Sequence, residues 1–273
     1  MLLLSLSWFI PATGFADGAK SLAYDLRVDL PLTLIAGGLW ITGEGLQNQL
    51  TPAHCRWCDD NRFDARARDA LRWENPAPGG TLSDVLVFGV LPVVSVGGLV
   101  LARAVDARAS AREQHNVDRL PMREAWLDTL FVLEATAVAS VLNQIVKYAS
   151  ARERPYAYAD QYEGQRRGSF ERTSFYSGHT NLAFAFASAA GMVASLRGFR
   201  GAPVIWSVGL AVATLVAYAR VAGDYHYLSD VLVGAGVGSL VGAGLPWLLH
   251  RPRGRARVQL SAGPNQLVLA WRR

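Results

Sequence analysis

The sequence has little charge and almost no lysine. Only 18% of its 273 residues are Asp, Glu, Lys or Arg, against roughly a quarter in ordinary soluble domains, while 51% are hydrophobic. This composition excludes a disordered chain and disfavours a soluble enzyme. The net charge of +5 rests on arginine, because Lys20 and Lys147 are the only lysines. The arginines lie mostly between long apolar runs and do not cluster on one polar module, so we expect no nucleic-acid partner.

Cysteine is also scarce. Cys55 and Cys58 are the only two, and they lie three positions apart in a polar segment. A structural zinc site needs four ligands, and the sequence offers no second pair. The strand-to-helix setting of a thioredoxin-like redox pair is missing as well. The pattern favours either a local disulfide or two free thiols in a loop.

Long apolar runs dominate the chain. Each of five runs is long enough, or nearly so, to cross a membrane as a tilted helix, and polar loops between them carry the charge. We therefore predict an all-α, polytopic membrane bundle of about six helices. A shorter apolar stretch at 31–42 has too few residues to span a bilayer by itself. The five runs are Leu82–Ala102, Ala125–Val146, Asn181–Leu196, Pro203–Ala219 and Leu228–Leu249.

Three glycines recur at every fourth position of the last run, at Gly234, Gly238 and Gly242. On a helix they share one face, where a neighbouring helix can approach closely. We interpret them as a packing feature that implies no chemistry.

The remaining segments suggest a division of the chain into four parts. Residues 1–16 are apolar and end in small residues, which predicts a signal peptide. Residues 17–81 then form an exported N-terminal region with the short apolar stretch and the cysteine pair. Residues 82–250 form the helical core. The basic tail 251–273 alternates apolar and polar residues around a Gly-Pro-Asn sequence, which predicts a small β-hairpin.

Counting crossings brings three polar segments to one face of the membrane. They lie at the end of the second run, just before the third run, and between the fourth and fifth runs. Cations and neutral donors without a cluster of carboxylates suit an anion with several oxygens, above all phosphate. We predict no metal and no cofactor. The predicted phosphate-binding residues are Lys147, Arg154, Ser177, Gly178 and Arg220.

Two histidines in the same segments are candidate catalytic residues. His226 and Asp230 are four residues apart at the start of a helix, so their side chains share one face. Asp230 would accept one imidazole N–H and leave the other nitrogen free to attack phosphorus. We predict His226 as the nucleophile and Asp230 as its orienting residue. His179, with no carboxylate nearby in sequence, is the candidate to protonate the leaving oxygen and later to deprotonate water.

This constellation resembles the type 2 phosphatidic acid phosphatase superfamily, in its membrane lipid phosphatase branch. The first family motif is a lysine, six residues and Arg-Pro, which Lys147 and Arg154-Pro155 match in full. The second motif is Pro-Ser-Gly-His, and Ser177-Gly178-His179 matches it with Tyr176 in place of the proline.

The third family motif is Ser-Arg, five residues, a histidine, three residues and an aspartate. Arg220, His226 and Asp230 match it, with Ala219 in place of the serine. The resemblance implies a six-helix bundle and metal-independent hydrolysis of a lipid phosphate or diphosphate through a phosphohistidine. It implies the same roles for the two histidines and the three cations.

Three other functions share parts of this pattern. A lipid phosphotransferase would use every residue named. A polytopic transporter or scaffold would be equally apolar, but would not need His226 and Asp230 beside three cations. A haloperoxidase would share the anion pocket and bind vanadate, yet it would be soluble, unlike this chain.

The positive-inside rule suggests an orientation. The loop 103–124 and the arginines of 251–257 lie on the face opposite the predicted site and are expected to be cytoplasmic. The site would then face the periplasm from a bacterial-type inner membrane. Its substrate would be a phosphate on an acyl or prenyl tail, and candidates are phosphatidic acid, phosphatidylglycerol phosphate, undecaprenyl diphosphate, sphingolipid phosphates and lipid A. The sequence does not choose among them, nor does it give the oligomeric state.

Other charged residues receive structural interpretations. Arginines at helix ends commonly extend to lipid headgroups, and we expect this of Arg152, Arg166, Arg167 and Arg172. Asp224 is expected to be a solvated turn residue or an arginine partner. Glu134 and Asp128 fall within an apparent crossing, and Glu134 is expected to serve another polar contact or a water-filled cleft. We assign no role to His54, His115 and His250.

Overall fold

The computed structural model describes residues 19–114, 124–158 and 168–252, together with the backbone of 257–263 and 266–272. Within these residues the predicted all-α bundle is confirmed, with six helices of 20 residues or more once α4 and α5 are taken as one rod. The predicted signal peptide at 1–16 lies outside the described residues. The helices are α1 (Leu26–Gly45), α2 (Gln47–Leu50), α3 (Arg62–Leu71), α4 (Ala77–Asp84), α5 (Leu91–Gln114), α6 (Ala125–Ser150), α7 (Gly178–Arg197), α8 (Ala202–Ala222) and α9 (Leu228–Leu249).

Four helical rods are long and apolar enough to cross a membrane, which supports the prediction of a polytopic membrane protein. A π-helical stretch, Val85–Val90, joins α4 to α5 and makes one continuous rod over Ala77–Ala109. The other three rods are α6, α8 and α9. The stretch at 31–42 lies within α1, which is 20 residues long and packs against α6.

Helix α7 contains the third predicted run and lies at the centre of the bundle. It packs against α5, α6, α8 and α9. Most of its alanines are fully buried, so its surroundings are protein more than lipid. The helix is confirmed, but it is not among the four rods that satisfy the length and hydropathy of a membrane span.

The predicted glycine contact joins α9 to α7. A methyl group at Gly234, Gly238 or Gly242 would lie 2.9, 2.4 or 2.4 Å from the carbonyl oxygens of Ser177, Asn181 and Ala185 respectively. These distances are too short for a carbon atom, so the backbones meet directly along this face. The prediction of close helix packing is confirmed.

The segment before the core packs onto it. Asn61 caps α3 by accepting the Asp64 N–H at 2.9 Å, and Asp64 accepts the Ser229 N–H at the start of α9 at 2.9 Å. The loop between α2 and α3 lies beside the chain that follows α6, where Glu153 donates its N–H to the Trp57 carbonyl at 3.2 Å. Cys55 and Cys58 form a disulfide within this loop, which settles the two alternatives left open by the sequence.

The predicted hairpin in the tail is also present. Strands β1 (Arg257–Gly263) and β2 (Gln266–Arg272) pair antiparallel, with Gly263 opposite Gln266 next to the turn. The turn residues themselves lie outside the described part of the chain.

Several charged residues are placed differently from the sequence expectation. Arg152 is only 1% exposed. Arg172 is also buried, and the Arg172 Nε donates to the Pro52 carbonyl at 2.8 Å. The expectation that these two extend to lipid headgroups is therefore wrong, because each finds acceptors inside the protein. Arg166, Arg167 and His115 are not described.

Asp224, Asp128 and Glu134 are buried, and each has a basic partner. Asp224 is bound by Arg68 through two hydrogen bonds of 2.6 Å, so the arginine-partner alternative is confirmed over the solvated one. Asp128 pairs with Arg103 and Arg197. Glu134 contacts His250, the polar contact expected of it.

Candidate active site

The first part of the site is the end of α6 and the chain that leaves it. Lys147 lies in the last turn of α6, and Ala151 ends the helix with a left-handed φ of 42°. The chain then runs inward, which explains why Arg152 and Arg154 are buried. Arg154 is held by the Phe170 and Tyr225 carbonyls at 3.0 and 3.2 Å and stacks over the Phe170 ring. Its guanidinium is therefore fixed before any ligand binds.

The second part is the start of α7. The Ser177 hydroxyl caps this helix by accepting the Thr180 hydroxyl at 3.0 Å and the Thr180 N–H at 3.5 Å. Its own proton stays available to donate. A side chain on Gly178 would begin 2.7 Å from the Lys147 ammonium, so only glycine lets the lysine lie against this helix start. The positive end of α7 and the Lys147 charge thus act at one place.

Arg220 lies in the last turn of α8 and forms another part of the pocket wall. It donates to the Ser83 hydroxyl at 3.0 Å and stacks over the Tyr225 ring at 4.2 Å. Although Arg220 is buried, its Nε has no hydrogen-bond partner among the described residues. A buried donor without an acceptor is costly, and an anion in the neighbouring cavity would relieve that cost.

Two hydrogen bonds fix the tautomer of His226. Its Nδ1 lies 2.9 Å from the Ser174 carbonyl, which can only accept, so Nδ1 carries the hydrogen. Its Nε2 lies 3.2 Å from Arg154 Nη1, which can only donate, so Nε2 presents its lone pair. Burial, followed by the charges of Arg154, Arg220 and Lys147, lowers the pKa of His226 well below 6.5. The ring is therefore neutral near pH 7, and its Nε2 lone pair accepts the hydrogen bond from Arg154.

The predicted contact between His226 and Asp230 differs from the one observed. Asp230 Oδ2 is 3.6 Å from His226 Nδ1, longer than a hydrogen bond, and the Ser174 carbonyl takes the N–H instead. Asp230 is occupied otherwise: it accepts the Ser174 hydroxyl at 2.5 Å and the Tyr227 N–H at 3.0 Å. It therefore orients His226 indirectly, by holding Ser174, and adds a negative charge behind the ring.

Arg152 holds Asp230 from behind. It bonds Asp230 at 2.6 Å and Asp64 at 2.7 Å, and lies between the rings of Trp57 and Tyr227 at 3.9 and 4.2 Å. All of these groups are outside the pocket, so they form a support for His226 and do not contact the ligand space.

His179 has a carboxylate partner that its sequence neighbourhood does not show. Its Nε2 lies 2.7 Å from Asp84 Oδ1, at the end of α4, and its ring meets Phe88 edge-on at 5.6 Å. Asp84 is 56% exposed, so this contact lies at the rim of the site.

These groups surround one pocket of about 190 Å³. Lys147, Arg154, Gly178, His179, Arg220 and His226 all line it, so six of the eight predicted site residues meet there. Ser177 and Asp230 are buried and do not line it. Among the described lining residues Glu44 is the one carboxylate, and Trp40, Phe88 and Leu182 supply apolar surface.

Sequence reasoning missed three residues of the site. Asn143 lines the pocket one turn before Lys147 and donates to the Tyr176 carbonyl at 2.7 Å. Its spacing of four residues from Lys147 places both side chains on one helix face, which could have identified it from the sequence. Asp84, a carboxylate beside a long apolar run, was visible as an ionisable residue near the membrane. Ser174 had no signal, because it acts through its backbone carbonyl.

The comparison with family models agrees with the resemblance expected from the motifs. The model of the PAP2 superfamily matches residues 128–253, which include all three motifs. Among solved structures, that of a transmembrane PAP2-type phosphatidylglycerolphosphate phosphatase from Bacillus subtilis aligns with 81% of this chain and 94% of its own, at 16% identity and a TM-score of 0.43. No curated protein is significantly similar to the chain.

Proposed function

We propose that this membrane protein is a metal-independent phosphatase acting on a lipid phosphate or diphosphate through a phosphohistidine, and the match of residues 128–253 to the PAP2 superfamily model supports the proposal. The observation that carries the proposal is the pair of hydrogen bonds that leaves the lone pair of His226 Nε2 beside the buried guanidinium of Arg154. A nucleophile and an oxyanion-binding cation thereby share one pocket.

The phosphate would enter between three cations. Lys147, Arg154 and Arg220 neutralise its charge, and the unpartnered Nε of Arg220 gains an acceptor. The Gly178 N–H acts as a neutral donor at the positive end of α7, the helix start that the Ser177 hydroxyl caps. These groups stay in place while charge builds up on the transferring oxygens, so they stabilise the transition state more than the bound substrate.

Arg154 would move its Nη1–H from His226 Nε2 to a phosphate oxygen, and Nε2 would then attack phosphorus as the bond to the leaving oxygen breaks. The ring becomes positively charged as the phosphohistidine forms. The Ser174 carbonyl on Nδ1–H and the Asp230 carboxylate at 3.6 Å stabilise that charge. A water molecule then attacks the phosphohistidine, which releases inorganic phosphate and restores neutral His226.

His179 would protonate the leaving oxygen and then take a proton from the attacking water. Asp84 is a positioning residue in this scheme: it holds one ring nitrogen of His179 and stabilises the imidazolium form. The other ring nitrogen exchanges the proton.

The substrate class follows from the surroundings of the pocket. The apolar lining residues suit acyl or prenyl carbons, while the cations suit the phosphate. For the orientation we retain the periplasmic face, which follows from the arginines of loop 103–124 and of the tail on the opposite face.

The second candidate is a lipid phosphotransferase, in which a lipid hydroxyl replaces water in the second step. It would use the same residues, so the acceptor distinguishes the two functions. A transporter or scaffold, the candidate from a different class, would release no phosphate at all.

The test is phosphate release from a panel of lipid phosphates and diphosphates by the purified chain in detergent. We expect His226→Ala and His179→Ala to lower the rate by about 10²- to 10⁴-fold, the usual size of a catalytic imidazole contribution. His54→Ala, which changes an exposed histidine outside the pocket, should leave it unchanged. Retained activity in both site variants would contradict the mechanism, and transfer to a second lipid without free phosphate would favour the transferase.

A further inference from the structure

A second group of buried ligating side chains lies away from the phosphate pocket. Asp29 of α1, Glu134 of α6 and His250 just after α9 each bring one ligand atom to within 4.8 Å of the others. Their exposures are 4%, 0% and 1%. Glu134 precedes Lys147 by more than three helical turns, or roughly 20 Å along α6, so this cluster belongs to the other end of the bundle.

The hydrogen bonds of His250 define its tautomer. Its Nδ1 lies 3.0 Å from the Ala23 carbonyl, an acceptor, so Nδ1 carries the hydrogen. Its ring is fixed by stacking on Phe131 at 3.7 Å. In the neutral ring the Nε2 lone pair therefore points at Glu134 Oε2, only 3.1 Å away. Two acceptors at this distance require a cation between them, either a proton or a metal ion.

The charges of the two carboxylates also call for a compensating cation. The second oxygen of Glu134, Oε1, is buried without a hydrogen-bond partner among the described residues. Asp29 adds another buried carboxylate, one oxygen of which accepts the Asp25 N–H at 2.8 Å. Two carboxylates and a neutral imidazole together hold two negative charges, which is costly inside a bundle unless a cation compensates them. A single proton would leave one charge in excess, whereas a divalent ion leaves none.

We propose that Asp29, Glu134 and His250 bind a divalent transition metal ion of the zinc class, with the second oxygen of Glu134, Oε1, completing the four ligand atoms. One imidazole and two carboxylates suit zinc better than calcium or magnesium, which take oxygen ligands. The 3.1 Å between His250 Nε2 and Glu134 Oε2 is close to the roughly 3.3 Å that separates two ligands bonded at about 2.0–2.1 Å in a tetrahedral site. The Nδ1–H bond to a backbone carbonyl is the usual second contact of a metal-bound histidine.

The metal would stabilise the fold by cross-linking three helices. It would join the start of α1, the middle of α6 and the end of α9, and α1 carries Trp40 and Glu44 to the wall of the phosphate pocket. The site is far from the reacting phosphate, so it does not conflict with metal-independent hydrolysis, and it does not rest on the proposed function.

Metal content of the full chain in detergent tests this proposal. The protein is equilibrated with Zn²⁺, freed of unbound ion by gel filtration and analysed for zinc by plasma mass spectrometry. We expect about one zinc per wild-type chain, and loss of that zinc in His250→Gln and in Glu134→Gln. His54→Gln removes an exposed histidine outside the cluster and should keep the zinc.

A wild-type measurement covers the case in which those variants fail to fold. Co²⁺ bound in place of Zn²⁺ should give visible ligand-field bands, which added Zn²⁺ should abolish. A wild-type chain that takes up no zinc and shows no such bands, or a folded His250→Gln variant that retains full zinc content, would overturn the proposal. In those cases a proton compensates the cluster. Neither readout depends on phosphatase activity, so failure here and failure of the proposed function are distinguishable.

Discussion

A single methyl group on α9 tests how the bundle holds its active site. In Gly238→Ala the new carbon would lie 2.4 Å from the Asn181 carbonyl oxygen and 3.1 Å from the Ala185 nitrogen, both in α7. A carbon–oxygen contact needs about 3.3 Å. The shortfall is therefore about 1 Å. Both contacted atoms belong to helix backbone, so a side-chain rotation does not relieve the overlap and the two helices have to separate.

The expected cost combines two opposing effects. Overpacking of this kind costs about 1–3 kcal/mol, and alanine gains up to about 1 kcal/mol over glycine in a helix interior. We expect Gly238→Ala to lose about 1–2 kcal/mol of stability. Gly236→Ala is the matched control, because its methyl would meet nothing within 4 Å, and it should be neutral or slightly stabilised.

Thermal or denaturant unfolding in one detergent, followed by circular dichroism, measures the difference. The phosphatase rate of Gly238→Ala should fall as well, because α7 begins with the Gly178 and His179 of the pocket. Equal stability of the two alanine variants would refute the direct backbone contact between α7 and α9.

Three further predictions concern the site. Asp84→Asn should lower kcat by about tenfold with little change in KM. It should also alter the basic limb of the pH profile, because the imidazolium form of His179 loses a carboxylate partner. The exposed control Asp69→Asn should leave kcat and the pH profile unchanged. Arg152→Met should lower the free energy of unfolding by about 3–5 kcal/mol, because Asp64 and Asp230 lose their buried partner. Arg66→Met, which changes an exposed arginine, should leave the free energy of unfolding unchanged. A lowered pKa at His226 keeps its nucleophilic nitrogen unprotonated as the pH falls, so kcat/KM should hold its plateau down to pH 6.5 and decline only below it. An acid limb centred above pH 7 that persists in a His179 variant would contradict this, because it could not arise from His179.

Much of the fold was predictable from local pattern. Apolar runs of the length of a bilayer gave the long helices, and the fourfold glycine spacing gave the α7–α9 contact, because both depend on the geometry of a single helix. The hairpin followed from alternation around a turn sequence. The cations and both histidines of the pocket were found because their spacing matches a family motif.

The residues that were missed or misread depend on contacts between distant segments. Arg152 looks like a headgroup arginine in sequence, and only the packing of α3 against α9 brings Asp64 to it. The acceptor for His226 is a backbone carbonyl, which every residue has and no sequence pattern marks. Asp84 meets His179 across two helices. Side-chain spacing within one segment predicts contacts only inside that segment.

The phosphohistidine is the most direct test of the proposed chemistry. The wild-type chain is mixed with a lipid phosphate labelled in its phosphate group, quenched in alkali within the first turnover and digested for mass spectrometry. The account predicts label on His226 that is stable in alkali and lost in acid, its absence in His226→Ala, and its persistence in His54→Ala. Label on another residue, or hydrolysis by the wild-type chain at full rate with no covalent label, would contradict it.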